Sequence, residues 1–300
     1  MRKLRRYGPP LALIAPSVFL IGVFVYGLII ASFQTSMTDA HTSAQFTGVQ
    51  ETHFVGLQNY IDILKTDNFQ HSLRNLLLYT VVFLSGTMFF GFLWAFLLDK
   101  RARAEGFIRS VYLFPMAVSS IAAGVVWKWL LNANTGARAS GLNRLFQLIG
   151  LDFLQNKWWS NYNWGIAAIA IPAIWQMSGY VMALFLAGFR GIPNELREAA
   201  RVDGANEWQL YRHVIFPQLS PVALSAIIII GHMSLKGFDL IVAIAKPASY
   251  ETRVPAIDMY QFQTEGNYAN ASTVGIILLL VVLVLIVPYL VHTARAEKNR

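Results

Sequence analysis

Three ionisable side chains interrupt an otherwise apolar run, Gly231-His232-Met233-Ser234-Leu235-Lys236-Gly237-Phe238-Asp239. Read as a helix, the run places His232, Lys236 and Asp239 at i, i+4 and i+7, on one face, with Ser234 among them. An ammonium donates hydrogen bonds and a carboxylate accepts them, so the stripe suits a ligand rich in hydroxyls. The same two charges could instead neutralise each other and lock two helices together. A second group, Trp175, Gln176, Ser178 and Tyr180, sets an indole beside polar groups, with Gln176 and Tyr180 one turn apart. An indole face packs well on the C–H face of a sugar, though core packing accounts for Trp175 about as well. Polar groups inside apolar spans are expensive and face a cavity or the bundle interior, which makes both groups candidates for a translocation path. Lys128, between Trp127 and Trp129, reads instead as a cation that snorkels to the membrane interface.

The elements that must position these groups are membrane helices. The chain has 300 residues, 55% hydrophobic and 13% charged, with a mean hydropathy of +0.46. That balance belongs to the membrane class. Six apolar stretches near Leu11–Phe33, Leu76–Leu98, Phe107–Leu131, Trp164–Phe189, Pro221–Ile244 and Ala271–Val291 are long enough to cross a bilayer, which takes roughly 20 apolar residues per helix. Their length and continuity argue for helices over the alternating strands of a barrel. The expected fold is all-α: one polytopic domain over residues 1–300 with about six transmembrane helices. Pro16 and Pro115 lie near span ends and are expected to kink them. The first stretch is too long for a secretory signal and lacks a small-residue cleavage pattern, so it reads as a retained span. There is no cysteine, which excludes disulfides and thiolate metal sites.

Orientation follows from Lys and Arg. One side collects Arg2, Lys3, Arg5 and Arg6, then Lys100, Arg101, Arg103 and Arg109, then Arg190, Arg197, Arg201 and Arg212, then Arg295, Lys298 and Arg300. The opposite side holds only Lys65, Arg74, Arg138, Arg144, Lys157, Lys246 and Arg253. The bias puts both termini in the cytoplasm. The net charge of +8 is then a topology signal, since the basic residues are not gathered on one soluble face as nucleic-acid binding requires. On the outer side, Trp158, Trp159 and Trp164 mark an interface, and Leu57–Leu64 is an amphipathic piece.

The most unusual inner segment is 194–217, a charged, helix-forming insert where a few residues would suffice as a loop. Asn194 can cap a helix with Glu195 in its first turn. Leu196, Ala199, Ala200 and Asp203 share a stripe, and Glu198 can pair with Arg201. Gly204 breaks that helix, Asn206 caps the next with Gln209 three residues on, and that helix is expected to end before Pro217.

Glu198-Ala199-Ala200, then Gly204, then Val214-Ile215-Phe216-Pro217 resembles the cytoplasmic signature of ABC-importer membrane subunits: Glu-Ala-Ala, three residues, Gly, nine residues, Ile-x-Leu-Pro. Phe54-Val55-Gly56-Leu57-Gln58-Asn59-Tyr60, Leu113-Phe114-Pro115, Phe238-Asp239-Leu240-Ile241 and Gly266-Asn267-Tyr268-Ala269 are similar to further stretches of the carbohydrate-importing members. Lys236 departs from their pattern. The resemblance implies a type I importer permease whose insert is a coupling helix lying in a groove of a partner ATPase. Glu198, Ala199, Ala200, Asp203, Gly204 and Pro217 would make the contacts and the turn. It also implies a second, homologous permease subunit, an ATPase dimer, an extracytoplasmic sugar-binding protein that Pro255–Phe262 could reach, and transport of a sugar across a prokaryotic inner membrane. This chain would have no catalytic residue, metal or cofactor of its own. ATP and Mg²⁺ would sit on the partner, because the sequence holds no G-x-x-x-x-G-K-[ST] phosphate loop.

Four other readings compete. The insert could lie on the membrane as an interfacial helix pair. A permease for polyamines or phosphonates would share the signature, although a polyamine path wants an acidic lining. An ion-coupled secondary transporter would show inverted repeats and broken helices with midplane carboxylates. A membrane scaffold would need no polar stripe at all.

Overall fold

The computed structural model describes residues 13–99, 105–247 and 249–298, with the backbone alone at 285, 288–290 and 292–298. The basic amino end, Leu11, Lys100, Arg101, Arg103 and the charged tail side chains therefore lie outside the described residues. Among the described residues there is no strand, only one antiparallel bridge between Thr38 and Phe54. Helices account for the rest of the regular structure, as they must where lipid offers the backbone no partner.

In chain order the helices are α1 (Leu13–Ser36), α2 (Ser43–Phe46), α3 (Gln58–Lys65), α4 (Asp67–Asp99), α5 (Glu105–Ala117), α6 (Ser120–Leu130), α7 (Gly141–Leu148), α8 (Gly165–Gly191), α9 (Asn194–Val202), α10 (Glu207–Leu235), α11 (Asp239–Ala245), α12 (Pro255–Thr264) and α13 (Tyr268–Lys298). Helices α1, α4, α8 and α10 are long and apolar enough to cross a membrane. The pair α5 and α6 is a further candidate, bent by 96°, and α13 opens on a shorter apolar stretch, Tyr268–Val284. This is the expected all-α polytopic architecture, with two corrections to its spans.

The stretch Phe107–Leu131 is not one continuous helix. It breaks at Val118-Ser119 into α5 and α6, three residues after Pro115, which itself stays within α5. The stretch Pro221–Ile244 is likewise not one continuous helix. Helix α10 begins at Glu207, ends at Leu235, and a separate α11 starts at Asp239. The helix after Asn206 therefore does not end before Pro217. It runs through a π-helical turn at Tyr211–Ile215 and carries Pro217 in the first turn of the α-helix that follows. A proline clashes with the carbonyl four residues back and brings no N–H, and a wider turn just ahead of it relieves that strain. Helix α1 similarly continues past Pro16 and turns π-helical only at Gly22–Gly27.

The chain divides into two compact units, Met1–Gln70 with Pro255–Val281, and His71–Val254 with Val282–Arg300. In the first, none of the apolar window of α1 is buried. Its end is held by α3: Asn59 donates to the carbonyls of Ser36 and Thr38, both at 2.8 Å, and the Tyr60 hydroxyl lies 2.6 Å from Ser36 Oγ. Farther on, His41 Nδ1 meets Asn267 Oδ1 at 2.9 Å and Tyr268 stacks on Phe46. The stretches 54–60 and 266–269 thus act as clasps within this unit. The first residues of α12, Pro255–Asp258, are buried, so only its later part, with Tyr260 exposed, is available to a partner.

In the second unit, close packing fixes the broken helices. A Cβ on Gly179 of α8 would collide with the Tyr112 carbonyl of α5, and one on Gly124 of α6 with the Ala243 Cβ of α11. Backbone can approach that closely only at glycine. Asn75 of α4 donates to the carbonyls of Glu251 and Arg253, and His71 stacks on Tyr250 with ring planes 7° apart, which ties down the loop after α11.

Candidate functional site

The chain stops being helical at Lys236. Helix α10 ends at Leu235, with the Lys236 N–H donating to Met233 O and the Gly237 N–H to Ser234 O, and the Phe238 N–H then closes a tight turn onto Lys236 O at 2.7 Å. The i, i+4, i+7 alignment of His232, Lys236 and Asp239 on one helix face therefore does not hold, because Asp239 belongs to the first turn of α11. The break brings Lys236 and Asp239 to a common cavity by another route. That space, about 180 Å³, is lined by both of them with Tyr79, Ser120, Gln176 and Phe238, among others. The side chains of Lys236 and Asp239 are exposed, and among the described residues no ion pair joins them. A cation and an anion presented separately on one wall can address donor and acceptor sites of a hydroxylated solute.

The second break faces the same space. Ser120 opens α6 beside the cavity, and the carbonyl of Val118, left without a helical partner, accepts from Gln176 Nε2 at 2.7 Å. Gln176, 4% exposed, thus satisfies the broken end of α5 while bordering the cavity.

The other candidates part company. Ser234 is buried, with Oγ on Gly231 O and 2.9 Å from Thr80 Oγ1, so it fastens α10 to α4. His232 is half-buried and does not border the cavity. Trp175 and Ser178 turn to a different groove of about 380 Å³, with Trp94, Tyr112 and Pro115, and the Trp175 ring lies 5.9 Å from that of Trp127. Consecutive residues on a helix point about 100° apart, and here that turn sends Trp175 and Gln176 to different spaces. Tyr180 lines neither space.

The insert is a separate surface. Helix α9 contains no buried residue, and Glu198, Ala199, Asp203, Gly204 and Pro217 are exposed, with Ala200 half-buried. Gly204 takes φ +81°, the left-handed turn that separates α9 from α10. Asn206 forms a full capping box with Gln209 at the start of α10. Two local expectations fail. Asn194 does not cap α9, since Pro193 occupies that position and makes no side-chain cap. Arg201 reaches across the turn to Glu207 at 3.0 Å rather than to Glu198. Both Arg201 and Glu207 are more than half exposed, so that bridge adds little. Leu196, Val202 and Trp208 are large, apolar and exposed around the turn.

Sequence reasoning missed Arg197. It donates to Asp99 Oδ2 at 2.9 Å and to Phe189 O at 2.9 Å, joining α9 to α4 and to the last turn of α8. Nothing in a sequence pairs residues 98 positions apart.

The family described as binding-protein-dependent transport system inner membrane component matches residues 87–295. The chain is 37% identical over 286 residues to a probable ABC transporter permease protein of Pyrococcus horikoshii, covering 95% of each. It is 30% identical to a xylose/arabinose import permease protein of Haloferax volcanii, covering 91% of this chain and 84% of that one. A chain from the crystal structure of a bacterial alginate ABC transporter, in complex with alginate pentasaccharide-bound periplasmic protein, superposes with a TM-score of 0.75 at 22% identity, over 95% of this chain and 94% of that one.

Proposed function

Since the chain belongs to the family of binding-protein-dependent transport system inner membrane components, we propose that it is the permease subunit of an ATP-driven sugar importer, forming half of a path that opens alternately to each side. The observation that carries this reading is the insert at 194–217, an exposed helix, a left-handed glycine turn and a capped second helix, standing at the Glu-Ala-Ala to Gly to Pro spacing. Its partner is an ATPase dimer that brings ATP and Mg²⁺. Glu198, Ala199, Ala200 and Asp203 meet the ATPase, Gly204 makes the turn, and Pro217 sets the start of the following helix. The chain is one permease domain, with both termini and the insert in the cytoplasm.

The path runs past Lys236, Asp239 and Gln176, which border one cavity. A second, homologous permease supplies the facing half, and an extracytoplasmic binding protein delivers the sugar. The xylose/arabinose permease named above supports a sugar as cargo. Lys236 argues against a polyamine, which its charge would repel. Broken helices, the feature expected of an ion-driven carrier, are present here too, so they no longer separate that rival from an importer.

The test is reconstitution of this chain with its partner permease and binding protein, with and without the ATPase. Uptake of sugar is expected only with the ATPase and ATP. Uptake that persists without them would sink the importer reading.

A further inference from the structure

Helix α9 has few attachments of its own. It buries no residue, and apart from the exposed Arg201–Glu207 pair across the Gly204 turn, Arg197 makes two side-chain hydrogen bonds to membrane-spanning helices. One runs to α4 at Asp99, its last described residue, and the other to Phe189 in the last turn of α8. The carboxyl end of α8 carries the negative end of the helix dipole, so a cation is favoured beside Phe189. The Asp99 carboxylate is largely withdrawn from water and gains from a cation beside it. The Arg197 side chain is 18% exposed and that of Asp99 8%.

A buried ion pair is a poor way to gain stability, because desolvation cancels most of the attraction. What the guanidinium supplies is shape: a rigid fork that holds two acceptors at fixed angles. The helices at its two prongs both reach the cavity, α4 through Tyr79 and α8 through Gln176. Gln176 lies 13 residues from Phe189 along one helix, a lever of roughly 20 Å at 1.5 Å per residue.

We propose that Arg197 is a positioning residue that transmits movement of the insert to the cavity, pulling α4 at Asp99 and the last turn of α8 together when α9 is displaced. This rests on the permease reading and specifies how its docking surface and its path are connected. Arg197→Lys keeps the charge but presents a single point, which cannot hold both acceptors in the same geometry. Arg197→Gln removes the charge, and Asp99→Asn keeps the shape of the acceptor while removing its charge.

The experiment measures sugar imported per ATP hydrolysed, using the complete complex in vesicles. In Arg197→Lys, with ATPase subunits co-purifying at the wild-type ratio, this coupling ratio is expected to fall roughly fivefold. A merely structural role would change the yield of complex and leave the ratio alone. An unchanged ratio in assembled Arg197→Lys and Arg197→Gln overturns the proposal. If neither variant assembles, Asp99→Asn decides: a lowered ratio supports the link and a wild-type ratio refutes it. A wild-type complex that imports no sugar when fuelled with ATP fails differently, against the permease reading itself.

Discussion

The insert and the cavity are built on opposite plans. The first part of the insert, 194–209, is largely exposed, and its turn and cap are specified within a few residues: Gly204 turns the chain at φ +81° and Asn206 caps with Gln209. The cavity is irregular and specified at long range, where one helix breaks at Val118-Ser119, another at Lys236–Phe238, and Gln176 from a third helix satisfies the first break. The difference matches the roles proposed for the two surfaces. A docking element would have to keep its shape while everything around it changes, which local hydrogen bonds favour. A path would have to change shape, which suits geometry held by packing that can be redistributed.

Substitutions on the two sides should therefore fail in different ways. The largest effect is expected at Asp239→Ala, which removes a charged acceptor from the cavity wall. Transport should fall about tenfold, the scale of one charge-assisted hydrogen bond, while detergent-extracted complex keeps its composition. Uptake at the wild-type rate would make the carboxylate a structural feature. Gln176→Leu comes next, because it strands the Val118 carbonyl at a cost of about 1–3 kcal/mol. Thermal unfolding should show this as a lower Tm, accompanied by slower transport. An unaltered Tm would mean that another group satisfies the break.

On the insert the expected losses are smaller and confined to docking. Asn206→Ala deletes half of the capping box, worth about 1 kcal/mol. Titration of purified ATPase against the permease should read it as several-fold weaker binding, with Tm little changed. A fall in Tm matching that of Gln176→Leu would show that the insert is not locally specified after all. Arg201→Ala removes only the exposed pair with Glu207 and should shift ATPase affinity by less than about twofold, since such pairs contribute about 0–1 kcal/mol and often nothing.

The same division governs what was legible beforehand. The break at Gly204 and the cap at Asn206 were readable because the residues that make them stand beside them. The membrane helices were readable from apolar length. Two positions of a cap and a pair were misassigned: Pro193 displaced Asn194 because its extended backbone already ends the preceding turn, and Arg201 found Glu207 only once Gly204 had folded the chain back. The cavity was half legible. Lys236, Asp239 and Gln176 were singled out as expensive polar groups, but the geometry inferred for them assumed an unbroken helix. Gly237 marked the second break weakly, and Pro115 stands three residues before the first. Ser234, chosen on polarity, serves α4 instead. The link from Arg197 to Asp99 and Phe189 left no trace in the sequence because it exists only after three helices have met.

The π-helical turn at Tyr211–Ile215 has a consequence for angle. Each residue of an α-helix advances the side chains by about 100°, so one extra residue held in a single wide turn rotates everything beyond it by that amount. The turn lies between Trp208, which is exposed on the insert, and Lys236, which borders the cavity. It therefore sets the phase between the two ends of α10. Removing one residue from 211–215 would leave two sound helical segments whose faces no longer agree, so that Trp208 and the cavity wall could not both keep their present orientation.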